Sequence, residues 1–141
     1  MPLRLSHVGL WVHDQEDALA FYTGKLGFEL REDVTLPEFP DYRWLTVGPP
    51  GQPDVAFILN VPGPPLFDEQ TAQALLDAVA QGRMGGFILA CDDCQAAYDE
   101  LRGRGVEFQQ GPTQQPYGID AALRDPSGNE MRLVQRVPLP A

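Results

Sequence analysis

The sequence predicts an α+β fold built from two copies of one βαβββ unit. The first observation is the segment HVGLWVHDQEDALAFYTGKLGFEL, residues 7–30, in which an alternating strand pattern precedes an apolar stripe at helical spacing. The second is the segment GFILACDDCQAAYDELRGRGVEF, residues 86–108, which repeats the order of strand, acidic cap, amphipathic helix, glycine and strand with one helical residue fewer. A period of about half the chain indicates two similar units and not a solenoid, which uses shorter repeats.

In the first unit, Val8, Leu10 and Val12 alternate with His7, Gly9 and Trp11, which predicts a strand. Asp14 is a favourable N-cap for the helix that follows. Apolar and β-branched runs, separated by loops rich in proline and glycine, predict three more strands. These strands span residues 28–34, 42–47 and 55–60, with loops at 36–41 and 48–53.

A linker helix is predicted between the units, with Asp68 as its cap and Gly82 at its end. Its apolar stripe comprises Ala72, Leu75, Leu76 and Val79. We expect this stripe to pack on the domain, with contact to a partner as the alternative. The second unit is predicted to have strands at 87–91, 106–109, 119–124 and 131–136, a helix at 93–103, a loop at 111–118 and a tight turn at 125–128.

Length and charge restrict the class of protein. The 141 residues fit a single domain, with a first module at 3–62, a helical linker at 63–84 and a second module at 85–137. The net charge of -10 disfavours nucleic acid or an anionic membrane as a partner, since both require a basic face. No apolar run approaches the ~20 residues of a membrane span, and the N-terminus has no signal-peptide pattern. We therefore expect a cytoplasmic protein.

Two cysteines, Cys91 and Cys94, form a single CxxC pair. This spacing occurs in redox pairs and in half of a zinc site, but no second CxxC or histidine pair supports either interpretation. By its match to Val12 in the repeat, we expect Cys91 to be a buried core thiol. Cys94 falls in the first turn of a predicted helix, where the helix dipole lowers a thiol pKa.

Motifs at the two ends of the chain resemble one protein family. Residues 7–30 look like the opening of the vicinal oxygen chelate superfamily, the glyoxalase, bleomycin resistance protein and extradiol dioxygenase group. The segment DPSGNEMRLV, residues 125–134, resembles that family's closing turn and last strand. The resemblance implies a curved, mainly antiparallel eight-stranded sheet whose concave face holds the site. It also implies a homodimer, the commonest oligomer in any case.

The resemblance further implies four metal-ligand positions, two in each module. In this sequence they are His7, Phe57 or Ile58, Gly86 and Arg132. Only His7 is a ligand type, and the fixed charge of Arg132 would repel a cation. We therefore expect no metal cofactor. The alternative is a divalent Zn, Ni, Mn or Fe ion held by His7 and Glu130 in a shifted register.

The same departure from the family pattern predicts a different kind of pocket. Arg132 offers a planar fork of donors for a carboxylate or phosphate, and pairing with Glu130 is the alternative. His7 is a candidate hydrogen-bonding residue and a weak candidate for acid–base catalysis, unless it is simply a strand histidine. The aromatic candidates for the pocket walls, each with a core position as the alternative, are Trp44, Phe57, Trp11 and Tyr117.

Three functions of different classes follow. The first is a protein that binds a small anionic or aromatic molecule without metal. The second is a metal-dependent lyase or isomerase similar to glyoxalase I, in which a metal polarises vicinal oxygens. The third is a non-catalytic partner or structural protein that uses the helix at 67–82 as its interface. A dioxygenase is disfavoured because these positions supply no set of two histidines and one carboxylate.

Overall fold

The computed structural model describes residues 2–138, and its elements follow the predicted repeat. The first unit contains β1 (His7–Trp11), α1 (Gln15–Leu19) with a π-helical continuation (Ala20–Lys25), β2 (Glu29–Val34), β3 (Trp44–Gly48) and β4 (Ala56–Asn60). The linker helix is α2 (Glu69–Ala80). The second unit contains β5 (Gly86–Ala90), α3 (Cys94–Gly103), β6 (Phe108–Gln115), β7 (Gly118–Arg124) and β8 (Glu130–Arg136).

The strands form two four-stranded sheets with the same topology, in the orders β1-β4-β3-β2 and β5-β8-β7-β6. In each sheet the first strand of the unit pairs in parallel with the last strand, and the other pairs are antiparallel. The predicted α+β class with two βαβββ units is therefore confirmed. The eight strands are divided equally between the two sheets.

Aspartate side chains cap all three α-helices of the described region. Asp14, Asp68 and Asp93 each accept a hydrogen bond from the backbone N–H three residues later. The first helix also carries the extra residue that distinguishes the two copies of the repeat. It is accommodated by π-helical bonding, in which the Leu26 N–H donates to the Phe21 carbonyl at 2.9 Å.

Two equivalent glycines turn the chain from each helix into the next strand. Gly27 has φ of +82° and Gly105 has φ of +91°, in the left-handed region that side chains disfavour. A Cβ at Gly27 would also lie 2.9 Å from an Arg104 guanidinium nitrogen. The glycine matched in the sequence repeat is thus required by the same turn in both units.

The loop predicted at 111–118 is wrong for most of its length. β6 extends to Gln115, and only Pro116 and Tyr117 form the turn into β7. The prediction is wrong because glycine and proline, here Gly111 and Pro112, usually end a strand. In the structure they lie where the β6–β7 register shifts between Gln110 and Thr113, and such an irregularity tolerates a proline without an N–H.

A hydrophobic core of buried side chains joins the two units. The ring of Phe57 lies 6.3 Å from that of Phe28 and 4.6 Å from that of Phe87, so aromatic packing runs from the residue before β2 through β4 to β5. Phe57 was a candidate pocket wall, but it is only 8% exposed and belongs to this core. The alternative assignment of Phe57 to the core is the correct one.

Polar contacts also connect the first unit to the tight turn at 125–128. The Tyr22 hydroxyl donates to Asp125 Oδ2 at 2.8 Å, and the His13 N–H donates to Ser127 Oγ at 2.9 Å. The Asn129 amide donates both to the Trp11 carbonyl and to Asp125, each at 2.9 Å. Burial, reinforced by the Asp125 charge, raises the pKa of Tyr22 well above its ordinary value.

The apolar stripe of α2 faces inward, as predicted. Ala72 and Val79 are buried, and Leu75 and Leu76 are half-buried. None of the helices in residues 2–138 is long and apolar enough to cross a membrane.

The structure differs from the predictions for both cysteines. Cys94 is fully buried, whereas Cys91 is half-buried at the edge of the core. Burial raises the pKa of Cys94 to about 11, with smaller contributions from Cys91 and nearby carboxylates. The predicted lowering by the helix dipole is therefore wrong, because desolvation of the thiolate outweighs it.

Replacing Tyr22 with phenylalanine tests the connection between the units. The Tyr22→Phe variant removes one donor from a buried carboxylate, so we expect the free energy of unfolding to fall by about 2 kcal/mol in urea denaturation. Tyr98→Phe is the matched control, because the Tyr98 hydroxyl makes no hydrogen bond within residues 2–138 and its ring packs on Phe108. Equal losses in the two variants would contradict the role of the Tyr22 hydroxyl.

Candidate functional site

An open apolar groove lies on the first sheet, on the face opposite the core. Along β1, Leu10 packs on the core while His7 and Trp11 face away from it. The groove has a volume of about 720 Å³. Its lining residues are Glu32, Val34, Leu36, Phe39, Tyr42, Trp44, Pro65 and Leu66. Phe39 is 62% exposed and Leu66 is 84% exposed, so large apolar surfaces face solvent here.

A second cleft of about 450 Å³ adjoins the groove. The two share Phe39, Tyr42, Pro65 and Leu66 as walls. Trp11 lines the second cleft, and its ring packs edge-on against Phe67 at 5.3 Å. Two of the predicted wall residues, Trp44 and Trp11, therefore lie in adjoining clefts.

Trp44 is held in place by contacts at both of its sides. Its indole N–H donates to Glu32 Oε1 at 3.2 Å, and its ring centroid lies 5.4 Å from that of His7. The His7 ring in turn bonds to the Ser6 hydroxyl at 2.9 Å. Within residues 2–138, no carboxylate hydrogen-bonds to His7, so the imidazole lacks the acidic partner that often orients a catalytic histidine.

Arg132 lies on the second sheet, beside a buried carboxylate. Its Nη1 donates to Asp120 Oδ2 at 2.8 Å, and its Nη2 lies 3.5 Å from Glu130 Oε1. Tyr117 points to the same place, because its hydroxyl donates to Asp120 Oδ2 at 2.5 Å. Arg132 and Tyr117 thus come together, but two carboxylates already occupy the guanidinium fork and disfavour an anionic ligand there.

Asp120 is fully buried but remains a strong acceptor. Burial alone would raise its pKa, and the donors Tyr117, Gln110 and Arg132 together bring the pKa below its ordinary value. The hydrogen bond to Asp120 also raises the pKa of Tyr117. A buried carboxylate requires hydrogen-bond donors and a countercharge, and this requirement explains why Tyr117, Gln110 and Arg132 surround Asp120.

The positions that the family resemblance assigns to metal ligands do not fit a divalent cation. A Cβ at Gly86 would lie 2.0 Å from the Glu130 carbonyl oxygen, so no ligating side chain fits at this position. Glu130, the alternative ligand, faces Arg132. Among residues 2–138, no group of three or more His, Cys, Asp or Glu side chains is placed to hold a metal ion.

Sequence reasoning missed most of the groove. Leu36, Phe39 and Tyr42 belong to the proline-broken loop before β3, and Leu66 belongs to the linker. The sequence does contain a sign of this groove. Large apolar residues recur in loops whose prolines and charges predict exposure to solvent, and exposed apolar residues of this kind indicate a binding surface.

Comparison with known proteins identifies the family. The model of the Glyoxalase/Bleomycin resistance protein/Dioxygenase superfamily matches residues 4–133. The chain therefore belongs to this superfamily. It is 29% identical to lactoylglutathione lyase of Salmonella typhimurium over 136 residues, which cover 94% of this chain and 93% of the lyase.

Two solved structures are also similar. UcmS2 is 46% identical with a TM-score of 0.88, and the match covers 96% of this chain and 99% of UcmS2. TnmS3, an antibiotic binding protein from Streptomyces sp. CB03234, is 30% identical with a TM-score of 0.73, covering 96% of this chain and 98% of TnmS3. The family thus includes a binding protein and a lyase among the chains similar to this one.

Proposed function

We propose that this protein binds an aromatic small molecule in the groove of the first sheet, without a metal ion. The observation that carries the proposal is the exposed apolar surface of Phe39, Tyr42 and Leu66 beside the half-buried Trp44. Contiguous exposed apolar surface is a mark of ligand or partner sites. The groove volume of about 720 Å³ lies within the range of roughly 300–1,000 Å³ that is usual for ligand pockets. The similarity to the antibiotic binding protein TnmS3 supports a binding role.

The aromatic side chains favour a flat ligand. The indole of Trp44 is fixed by Glu32 and His7, so stacking on it costs little side-chain entropy. Phe39 and Leu66 are the most exposed apolar walls and lose the most contact with water when a ligand covers them. We do not propose an anionic ligand at Arg132, because Asp120 and Glu130 already pair with its guanidinium.

A planar three-ring aromatic, phenazine, is the probe for this proposal. We expect saturable quenching of tryptophan fluorescence, and an affinity at least tenfold lower in Trp44→Ala because stacking is lost. Leu66→Ala should also weaken binding. Ile88→Ala is its matched control, since Ile88 is an exposed aliphatic residue on the second sheet, outside the groove. Weakening by Ile88→Ala with no effect of Leu66→Ala would contradict the assigned site.

The second candidate function is a metal-dependent lyase, which the similarity to lactoylglutathione lyase favours. Such chemistry needs a bound metal and a carboxylate that moves a proton. The residues at the ligand positions weigh against a lyase, because Gly86 has no room for a ligating side chain and Glu130 is paired with Arg132.

Metal content separates the two functions. In elemental mass spectrometry of untagged protein, we expect well below one equivalent of Zn, Ni, Mn or Fe per chain, because the ligand positions do not fit. The melting temperature should not change when these ions are added. About one equivalent of metal with a clear rise in melting temperature would contradict the proposal and favour the lyase. The expected homodimer and cytoplasmic location stay predictions.

A further inference from the structure

We infer that the ligand of the groove carries a positive charge, as a protonated amine or ring nitrogen on its aromatic frame. This inference rests on the proposed function. Its basis is the set of charged residues around the groove and the adjoining cleft. Three carboxylates line the two clefts, Glu32, Glu38 and Asp41, while their lining includes no Lys, Arg or His.

Glu32 is the carboxylate best placed to meet a ligand. It lies on β2 beside Trp44, and its Oε1 accepts the indole N–H at 3.2 Å. This hydrogen bond fixes one oxygen at the edge of the ring on which the ligand stacks. Glu32 forms no ion pair within residues 2–138, so its charge is available. A cation on the ligand would be attracted both by this carboxylate and by the faces of Trp44 and Tyr42.

Glu38 and Asp41 add negative charge on either side of Phe39. Both are exposed, and neither has an ion-pair partner in the described part of the chain. The neighbouring Arg43 does not compensate them. Its guanidinium is bound to Asp33 at 2.8 Å and to Glu16, and it lines neither cleft. The net charge of -10 gives the whole protein a negative electrostatic potential, which has the same sign as the potential of these carboxylates.

This arrangement orders ligands by charge. The cation gains attraction, a neutral aromatic gains only stacking and burial, and an anion meets repulsion from three carboxylates. Because these groups are exposed, the preference depends on ionic strength, with a screening length of about 10 Å at 0.1 M salt. The charge on Arg132 does not reverse the order, since that side chain pairs with Asp120 on the other sheet.

Three planar three-ring probes of similar size test the inference: 9-aminoacridine as the cation, phenazine as the neutral compound and anthraquinone-2-sulfonate as the anion. Calorimetric titration at low salt should give an affinity at least tenfold higher for 9-aminoacridine than for phenazine, and the weakest binding for the sulfonate. Raising the salt to 0.5 M should reduce the preference for the cation severalfold while phenazine binding changes little.

Glu32→Gln links the preference to one side chain. This variant keeps an acceptor for the Trp44 indole and removes the charge, so the ratio of 9-aminoacridine affinity to phenazine affinity should fall severalfold. Glu107→Gln is the control, because it makes the same change in net charge at an exposed glutamate outside both clefts.

The outcomes separate the two proposals. Equal affinity for all three probes, or tighter binding of the sulfonate, would overturn the charge preference while leaving the groove as a binding site. Equal effects of Glu32→Gln and Glu107→Gln would also overturn it, because the preference would then follow net charge alone. Failure of all three probes to bind would overturn the proposed function as well.

Discussion

The arrangement of the two units depends on the buried carboxylate of Asp125. Its Oδ1 accepts the backbone N–H groups of Ser127, Gly128 and Asn129, at 2.9 to 3.0 Å. Its Oδ2 accepts the Tyr22 hydroxyl and the Asn129 amide. A buried charge is tolerated only when donors satisfy it, so this one residue fixes both the tight turn and the helix of the other unit against it.

The same contacts reach the candidate site. The Asn129 amide also holds the Trp11 carbonyl at the end of β1, and Trp11 lines the cleft that adjoins the groove. The core on the other side of the sheet, with Phe57 at its centre, provides a rigid support for the face that carries Trp44. The groove is therefore an irregular surface of loops on a well-ordered sheet, and loops on a rigid scaffold commonly carry function.

The fold could be predicted because local patterns determine it. The acidic caps, the glycine after each helix and the alternation along β1 all act over a few residues. The site could not be predicted in the same way. The pairing of Arg132 with Asp120 depends on the β7–β8 register, which places Ala122 opposite Arg132 and Asp120 one diagonal step away. The exposure of Phe39 and Leu66 depends on the packing of two loops against each other, and the sequence of either loop alone does not determine that packing.

The central claim is that an aromatic ligand stacks on Trp44 in the groove. The protein has two tryptophans, so the indole region of a ¹H–¹⁵N correlation spectrum should contain two cross-peaks, which a Trp44→Phe variant assigns. On addition of phenazine, the Trp44 indole cross-peak is predicted to shift in a saturable manner, because ring currents from a stacked ligand act on it directly. An unmoved Trp44 cross-peak, with shifts confined to the backbone around Ile88 and Arg132, would contradict the account.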